Sequence, residues 1–223
     1  APSTGVEADS ACCFTPVADD VEVGHTVAFS CTNKPSWASF CAVSGALLGT
    51  PKNDHVGTDS AIVISVDDVM GGNVSMPGFD ITVINTNDDP TIAGAPGTSV
   101  DEDSAYSFTP VADDVDVGDT LTFSIVNKPN WASFDTVTGA LTGTPTNDDV
   151  GTDSGIVISV GDGVGGNASL AAFDLTVVNT NDVPTIAGAP STSVDEDSAY
   201  SFVPVGEDVD VGDTLTFGIA NKP

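Results

Sequence analysis

Apolar and polar side chains alternate with period two at Leu121, Phe123 and Ile125, and again at Phe173, Leu175 and Val177. Successive side chains of an extended chain point to opposite faces, so this spacing predicts half-buried strands. Tyr106-Ser107-Phe108 and Ile156-Val157-Ile158-Ser159-Val160 read as two more, with shorter strands around Trp131 to Phe134 and at Ala140-Leu141. Turn formers separate them at Val117-Gly118-Asp119, Thr138-Gly139, Thr144-Pro145 and Gly163-Val164-Gly165-Gly166. No stretch has a helical period. About seven short strands in this span predict an all-β fold, an antiparallel β-sandwich with Ig-like Greek-key connections. Trp131 belongs to its core.

The pattern returns along the chain. Ala1-Pro2 recurs at Ala95-Pro96 and Ala189-Pro190, and Asn33-Lys34-Pro35 at Asn127-Lys128-Pro129 and Asn221-Lys222-Pro223, 94 residues apart each time. Between the first two copies 64 of 94 aligned pairs are identical, and between the second and the shorter third 29 of 35, so the copies share one fold. The expected divisions are 1–88 and 89–182 for two repeats and 183–223 for part of a third. That third copy lacks counterparts of Trp131, Leu141, Ile156, Ile158, Phe173 and Leu175. Its core is expected to be completed by a continuing chain or, less simply, by strands from another molecule.

Composition narrows the partners. With 40 % hydrophobic residues and 10 Phe the chain can bury cores, so disorder is not expected. The formal net charge is −29, from 33 acids against 4 lysines, a field that repels nucleic acid and anionic membranes and attracts cations. No apolar run approaches about 18 residues, and the opening Ala1-Pro2-Ser3 lacks the features of a signal peptide. Cys12, Cys13, Cys31 and Cys41 are replaced by Tyr106, Ser107, Ile125 and Asp135 one repeat later, so disulfides do not specify the fold. Cys12 and Cys31 are expected to point inward and Cys13 outward, which leaves a Cys12–Cys31 disulfide open.

Four motifs in one repeat, in a fixed order, carry a resemblance. They are Val100-Asp101-Glu102-Asp103-Ser104, the loop Ala112-Asp113-Asp114-Val115-Asp116-Val117-Gly118-Asp119, the late Val160-Gly161-Asp162-Gly163, and the linker Asn179-Thr180-Asn181-Asp182-Val183-Pro184. Together they resemble the cadherin-like family, specifically the dystroglycan-type cadherin-like, or Putative Ig, repeats of large bacterial surface adhesins. The resemblance spans the whole chain. It implies calcium at each junction, an ion suited to the carboxylate and carbonyl oxygens these loops offer. The implied ligands at the first junction are Glu7, Asn85, Asn87 and Asp88 with Asp114, Asp116 and Asp162. At the second they are Glu102, Asn179, Asn181 and Asp182 with Asp208 and Asp210. Asp54, and Asp148 or Asp149, stand near the family's mid-domain acidic motif. Two departures bear on affinity: Asn85 and Asn179 open the linkers where the family has Asp, and Glu22 and His25 alter the first repeat's loop. Asp, Asn and Gly also favour turns for backbone reasons alone.

Catalysis is not expected. His25 and His55 are the only histidines and both become Asp in the second repeat, at Asp119 and Asp149, so neither belongs to a repeated active site. Paired acids in a duplicated loop lack the single shaped cleft of a hydrolase. The resemblance implies an extracellular, cell-surface segment whose partners are neighbouring repeats of the same or identical chains, with glycan or protein targets met by other domains. Three functions remain open: a calcium-stiffened extender in an adhesin, a self-assembling filament subunit, and a non-catalytic carbohydrate-binding module.

Overall fold

The computed structural model describes residues 4–19, 26–68 and 70–222. Two compact units divide it. The first gathers Ala1–Asp89, Asp114–Asp119 and Val164–Gly166, and the second Pro90–Asp113, Thr120–Gly163 and Asn167–Pro223.

In the first unit the strands are β1 (Gly5–Glu7), β2 (Cys12–Phe14), β3 (Ala28–Thr32), β4 (Ala38–Phe40), β5 (Leu47–Gly49), β6 (Gly57–Asp67), β7 (Asn73–Ser75) and β8 (Phe79–Ile84). One sheet runs β1-β8-β6-β3 with β7 added to β6, and a second runs β2-β5-β4. The second unit repeats this with β9 (Thr91–Ala93), β10 (Ser99–Asp101), β11 (Tyr106–Phe108), β12 (Val111–Asp113), β13 (Thr122–Val126), β14 (Ala132–Phe134), β15 (Leu141–Gly143), β16 (Gly151–Gly161), β17 (Asn167–Ser169) and β18 (Phe173–Val178). Its sheets are β10-β18-β16-β13 with β17 on β16, β11-β15-β14, and the pair β12-β9. This is the repeated all-β, Ig-like sandwich that the alternating pattern predicts. One pairing departs from the antiparallel expectation: the opening strands β1 and β10 run parallel to the closing strands β8 and β18. That contact joins distant ends of a repeat, and no local signal announces it.

The core of the second unit is built from Tyr106, Phe123, Ala132, Leu141, Ile156, Ile158, Val160 and Leu175, with Trp131 packed against it. The Trp131 ring meets Tyr106 edge-on at 6.1 Å, and its Nε1 donates to Asp153 Oδ2 at 3.3 Å, so both its apolar body and its polar edge are accommodated. A bulge bends β16 between Asp153 and Ile156. There Gly155 takes φ +66° and its N–H donates to Asp174 Oδ1; in the first unit Ala61 is held at φ 56° by the same bond to Asp80. Among the described residues of the first unit, Ala38, Leu47, Ile62 and Ile81 form a buried cluster backed by Cys31, Trp37 and Phe79.

Gly139 shows how tightly the second core is closed. It sits at φ +71°, and a Cβ there would lie 2.6 Å from Phe123 Cδ1 and 2.8 Å from Pro110 Cγ. Gly139→Ala is therefore expected to cost about 1–3 kcal/mol in strain and overpacking. Chemical denaturation checks this; an unchanged midpoint would contradict it.

All four thiols are free, so the Cys12–Cys31 bridge is not formed. The two lie in different sheets, Cys12 on β2 and Cys31 on β3, and burial pushes both thiols up in pKa. Each is half-buried, while Cys13 and Cys41 are exposed. Within residues 183–222 the described strands are β19 (Thr185–Ala187) and β20 (Val205–Glu207), paired antiparallel. Phe217, the counterpart of the buried Phe123, is 57 % exposed.

Candidate metal centre

In the second unit the site begins where β10 ends. The backbone N–H of Glu102 still donates to Val178 O, which turns its side chain inward; the residue is 2 % exposed. Glu102 Oε1 accepts the Thr180 N–H at 2.5 Å, whereas Oε2 is buried with no hydrogen-bond partner. Beside it Asp210, 6 % exposed, accepts the Asp182 N–H on Oδ2 at 2.7 Å and Asn179 Nδ2 on Oδ1 at 3.1 Å. Asp210 in turn donates its own N–H to Asp208 Oδ1, the turn that aims both carboxylates. One oxygen each from Glu102, Asp182 and Asp210 lies within 4.8 Å of the others, and the same holds for Asp208, Asp210 and Asp213.

The first unit has the same scaffold with different fittings. Asp116, 4 % exposed, accepts the Asp88 N–H on Oδ2 at 2.7 Å, and donates its N–H to Asp114 Oδ1 at 2.9 Å. Asp114, Asp116 and Asp119 form the acidic group, and Asp114 Oδ2 is buried without a hydrogen-bond partner. Asn53 Nδ2 donates to Asp88 Oδ2 at 2.8 Å and to Asp116 Oδ1 at 2.7 Å.

Several ligands implied by the resemblance fall in these groups and others do not. Asp114 and Asp116 share one acidic group, with Asp88 bonded to Asp116, and Asp210 is shared by a group with Glu102 and Asp182 and a group with Asp208. Asn87 and Asn181 are exposed, and each donates its side-chain amide to the carbonyl of the next residue, bracing the linker. Asn85 is exposed. Glu7 is exposed at the end of β1, at the place Asp101 takes on β10. The place of Glu102 belongs to Ala8, 2 % exposed, whose N–H donates to Ile84 O as that of Glu102 does to Val178 O. The first linker thus has no carboxylate where the second has its most buried one. Asp54 is exposed beside His55, and Asp149 turns back to accept from Thr146, capping the short helix Asn147–Asp149. Asp162 is buried just past β16. Glu22 and His25 lie outside the described residues.

Sequence reasoning missed Asn53, and it did not assign Asp119 and Asp213. The signals were available: an Asp-x-Asp-x-Gly-Asp loop recurs at Asp114–Asp119 and Asp208–Asp213, and Asn53 returns as Asn147.

A hard dication fits these donors. Calcium takes six to eight oxygens from carboxylates and carbonyls, and a buried carboxylate oxygen without a partner is the kind of group such an ion satisfies. Two of the lysines are occupied elsewhere: Lys34 and Lys128 donate to the carbonyls of Pro35 and Ala38, and of Pro129 and Ala132. Lys52 pairs with Asp9.

Residues 89–178 match the family described as Putative Ig domain. The chain is 26 % identical over 167 residues to the Serine-rich adhesin for platelets of two Staphylococcus aureus strains, MRSA252 and MSSA476. The alignments cover 75 % of this chain but only 12 % and 7 % of those adhesins, so the chain spans a small part of their length. Among solved structures it is similar to mouse cadherin-23 EC22-24, at 16 % identity and a TM-score of 0.51, over 95 % of this chain and 75 % of that one. That likeness concerns fold alone.

Proposed function

From the match of residues 89–178 to the Putative Ig domain family and the cadherin-like fold of the repeats, we propose that the chain is a non-catalytic, calcium-stiffened extender in a large extracellular surface adhesin. The proposed repeats are 1–88, 89–182 and the partial 183–223, and its partners are neighbouring repeats. The observation that supports the calcium reading best is Glu102, almost wholly buried beside Asp182 and Asp210 with one carboxylate oxygen unpartnered. Like charges at this spacing repel strongly when withdrawn from water, so a dication there would turn a destabilising cluster into a stabilising one. Glu102, Asp182, Asp208 and Asp210 would hold the ion at the second linker, and Asp88, Asp114 and Asp116 at the first. The residues themselves do the positioning. The N–H groups of Thr180 and Asp182 fix one oxygen each of Glu102 and Asp210, and the Asp208 turn directs the loop.

An ion that binds only the folded chain stabilises it by about 2.7 kcal/mol per site at a hundredfold excess over its dissociation constant. Thermal melting and small-angle scattering, each in calcium and in excess chelator, test this. The expected result is a higher melting temperature and a narrower spread of chain dimensions in calcium. Identical melting and scattering in both would overturn the reading.

A further inference from the structure

The two linkers differ in what holds their carboxylates together. In the first, the Asn53 amide nitrogen donates to Asp88 Oδ2 at 2.8 Å and to Asp116 Oδ1 at 2.7 Å, so one neutral group spans two acids. In the second, Asn179 Nδ2 reaches Asp210 alone, at 3.1 Å, and the amide nitrogen of Asn147, the counterpart of Asn53, is buried with no hydrogen-bond partner. Ala8 fills the place where the second linker has Glu102, so the first also has one fewer buried acid to neutralise.

We infer that Asn53 is a built-in clamp that orders the first linker without an ion, leaving the second as the one whose order depends on a dication. An amide carries two donor hydrogens, which match two carboxylate acceptors, and hydrogen bonds to charged acceptors are about twice as strong as neutral ones. The same side chain has a carbonyl oxygen on its other branch. Turned about its last torsion, Asn53 presents Oδ1 in place of Nδ2 and becomes a metal ligand, at the cost of both clamp bonds. Occupation of the first linker therefore opposes both clamp bonds, whereas occupation of the second opposes only the single, longer Asn179–Asp210 bond. The ion-dependent half of this inference rests on the calcium reading; the clamp does not.

Two backbone amides report on the two sites: Asp88 N–H, held by Asp116 Oδ2, and Asp182 N–H, held by Asp210 Oδ2, each at 2.7 Å. Hydrogen exchange by NMR on the full chain in excess chelator, then in calcium, compares wild type with Asn53→Ala, Asn53→Asp and Asn147→Ala. In chelator, Asp88 is expected to exchange more slowly than Asp182. Asn53→Ala should speed exchange at Asp88 at least about tenfold, the size of one of the two charge-assisted hydrogen bonds it removes. Asn53→Asp, which keeps the shape and loses the donor, should do the same, and Asn147→Ala should leave Asp182 unmoved. Unchanged Asp88 exchange in both Asn53 variants would overturn the clamp, as would an equally strong effect of Asn147→Ala at Asp182. Calcium should then slow Asp182 by a larger factor than Asp88. If it slows neither while the Asn53 variants behave as expected, the clamp stands and the calcium reading falls.

Discussion

Phe123→Ala is expected to destabilise the second unit by about 3–5 kcal/mol, the range for removing a buried aromatic side chain. Phe123 is 6 % exposed on β13, opposite Val160 of β16, and it lies in the same buried cluster as Leu141, Ile156 and Ile158. Its neighbours cannot readily collapse into the vacated space. Gly139 holds a positive φ against the ring, and the strands on either side are fixed by their ladders. Urea unfolding of the full chain measures the loss as a shift of midpoint with little change of slope. Asp114→Ala supplies the contrast. Asp114 lies in a loop and accepts one backbone N–H, so its removal should cost no more than about 1 kcal/mol in chelator. Equal losses from the two substitutions would contradict the division between a core that folds the sandwich and loops that serve the linkers.

Most of the fold could be read from side-chain alternation. The faces of β13, β16 and β18 follow from Phe123, Ile156, Ile158 and Leu175 at spacing two, because strand geometry leaves no other way to bury all four. The parallel pairing of β10 with β18 was not legible, since it depends on where the chain returns and not on local pattern. The site was legible in part. The resemblance of the loop and linker motifs marked Asp88, Asp116, Asp182 and Asp210, yet it placed Glu7 in a role that the register gives to Ala8. A one-residue slip moves a side chain to the opposite face of a strand; the 94-residue period aligns Glu7 with Asp101 and Ala8 with Glu102, so the slip was legible in the repeat and was missed by matching the Val-Glu motif alone. Asn53 escaped notice because an asparagine in a turn has ample backbone reason to be there, and only the three-dimensional fold brings it between Asp88 and Asp116.

Glu102→Gln should reverse the sign of its effect with calcium. In chelator the wild-type carboxylate is buried among other acids, so a neutral isostere is expected to raise the stability of the second unit by roughly 1–3 kcal/mol. In calcium the same change removes a charged ligand oxygen, and affinity should fall at least about tenfold, equivalent to roughly 1.4 kcal/mol. A residue with a purely structural role would destabilise in both conditions. The most direct measurement is calorimetric titration of calcium into the chelator-stripped full chain, run beside Glu102→Gln under identical conditions. The account predicts saturable binding to the wild type, with at least one site weakened tenfold or more in the variant; no binding to the wild type, or the same isotherm for both, would contradict it.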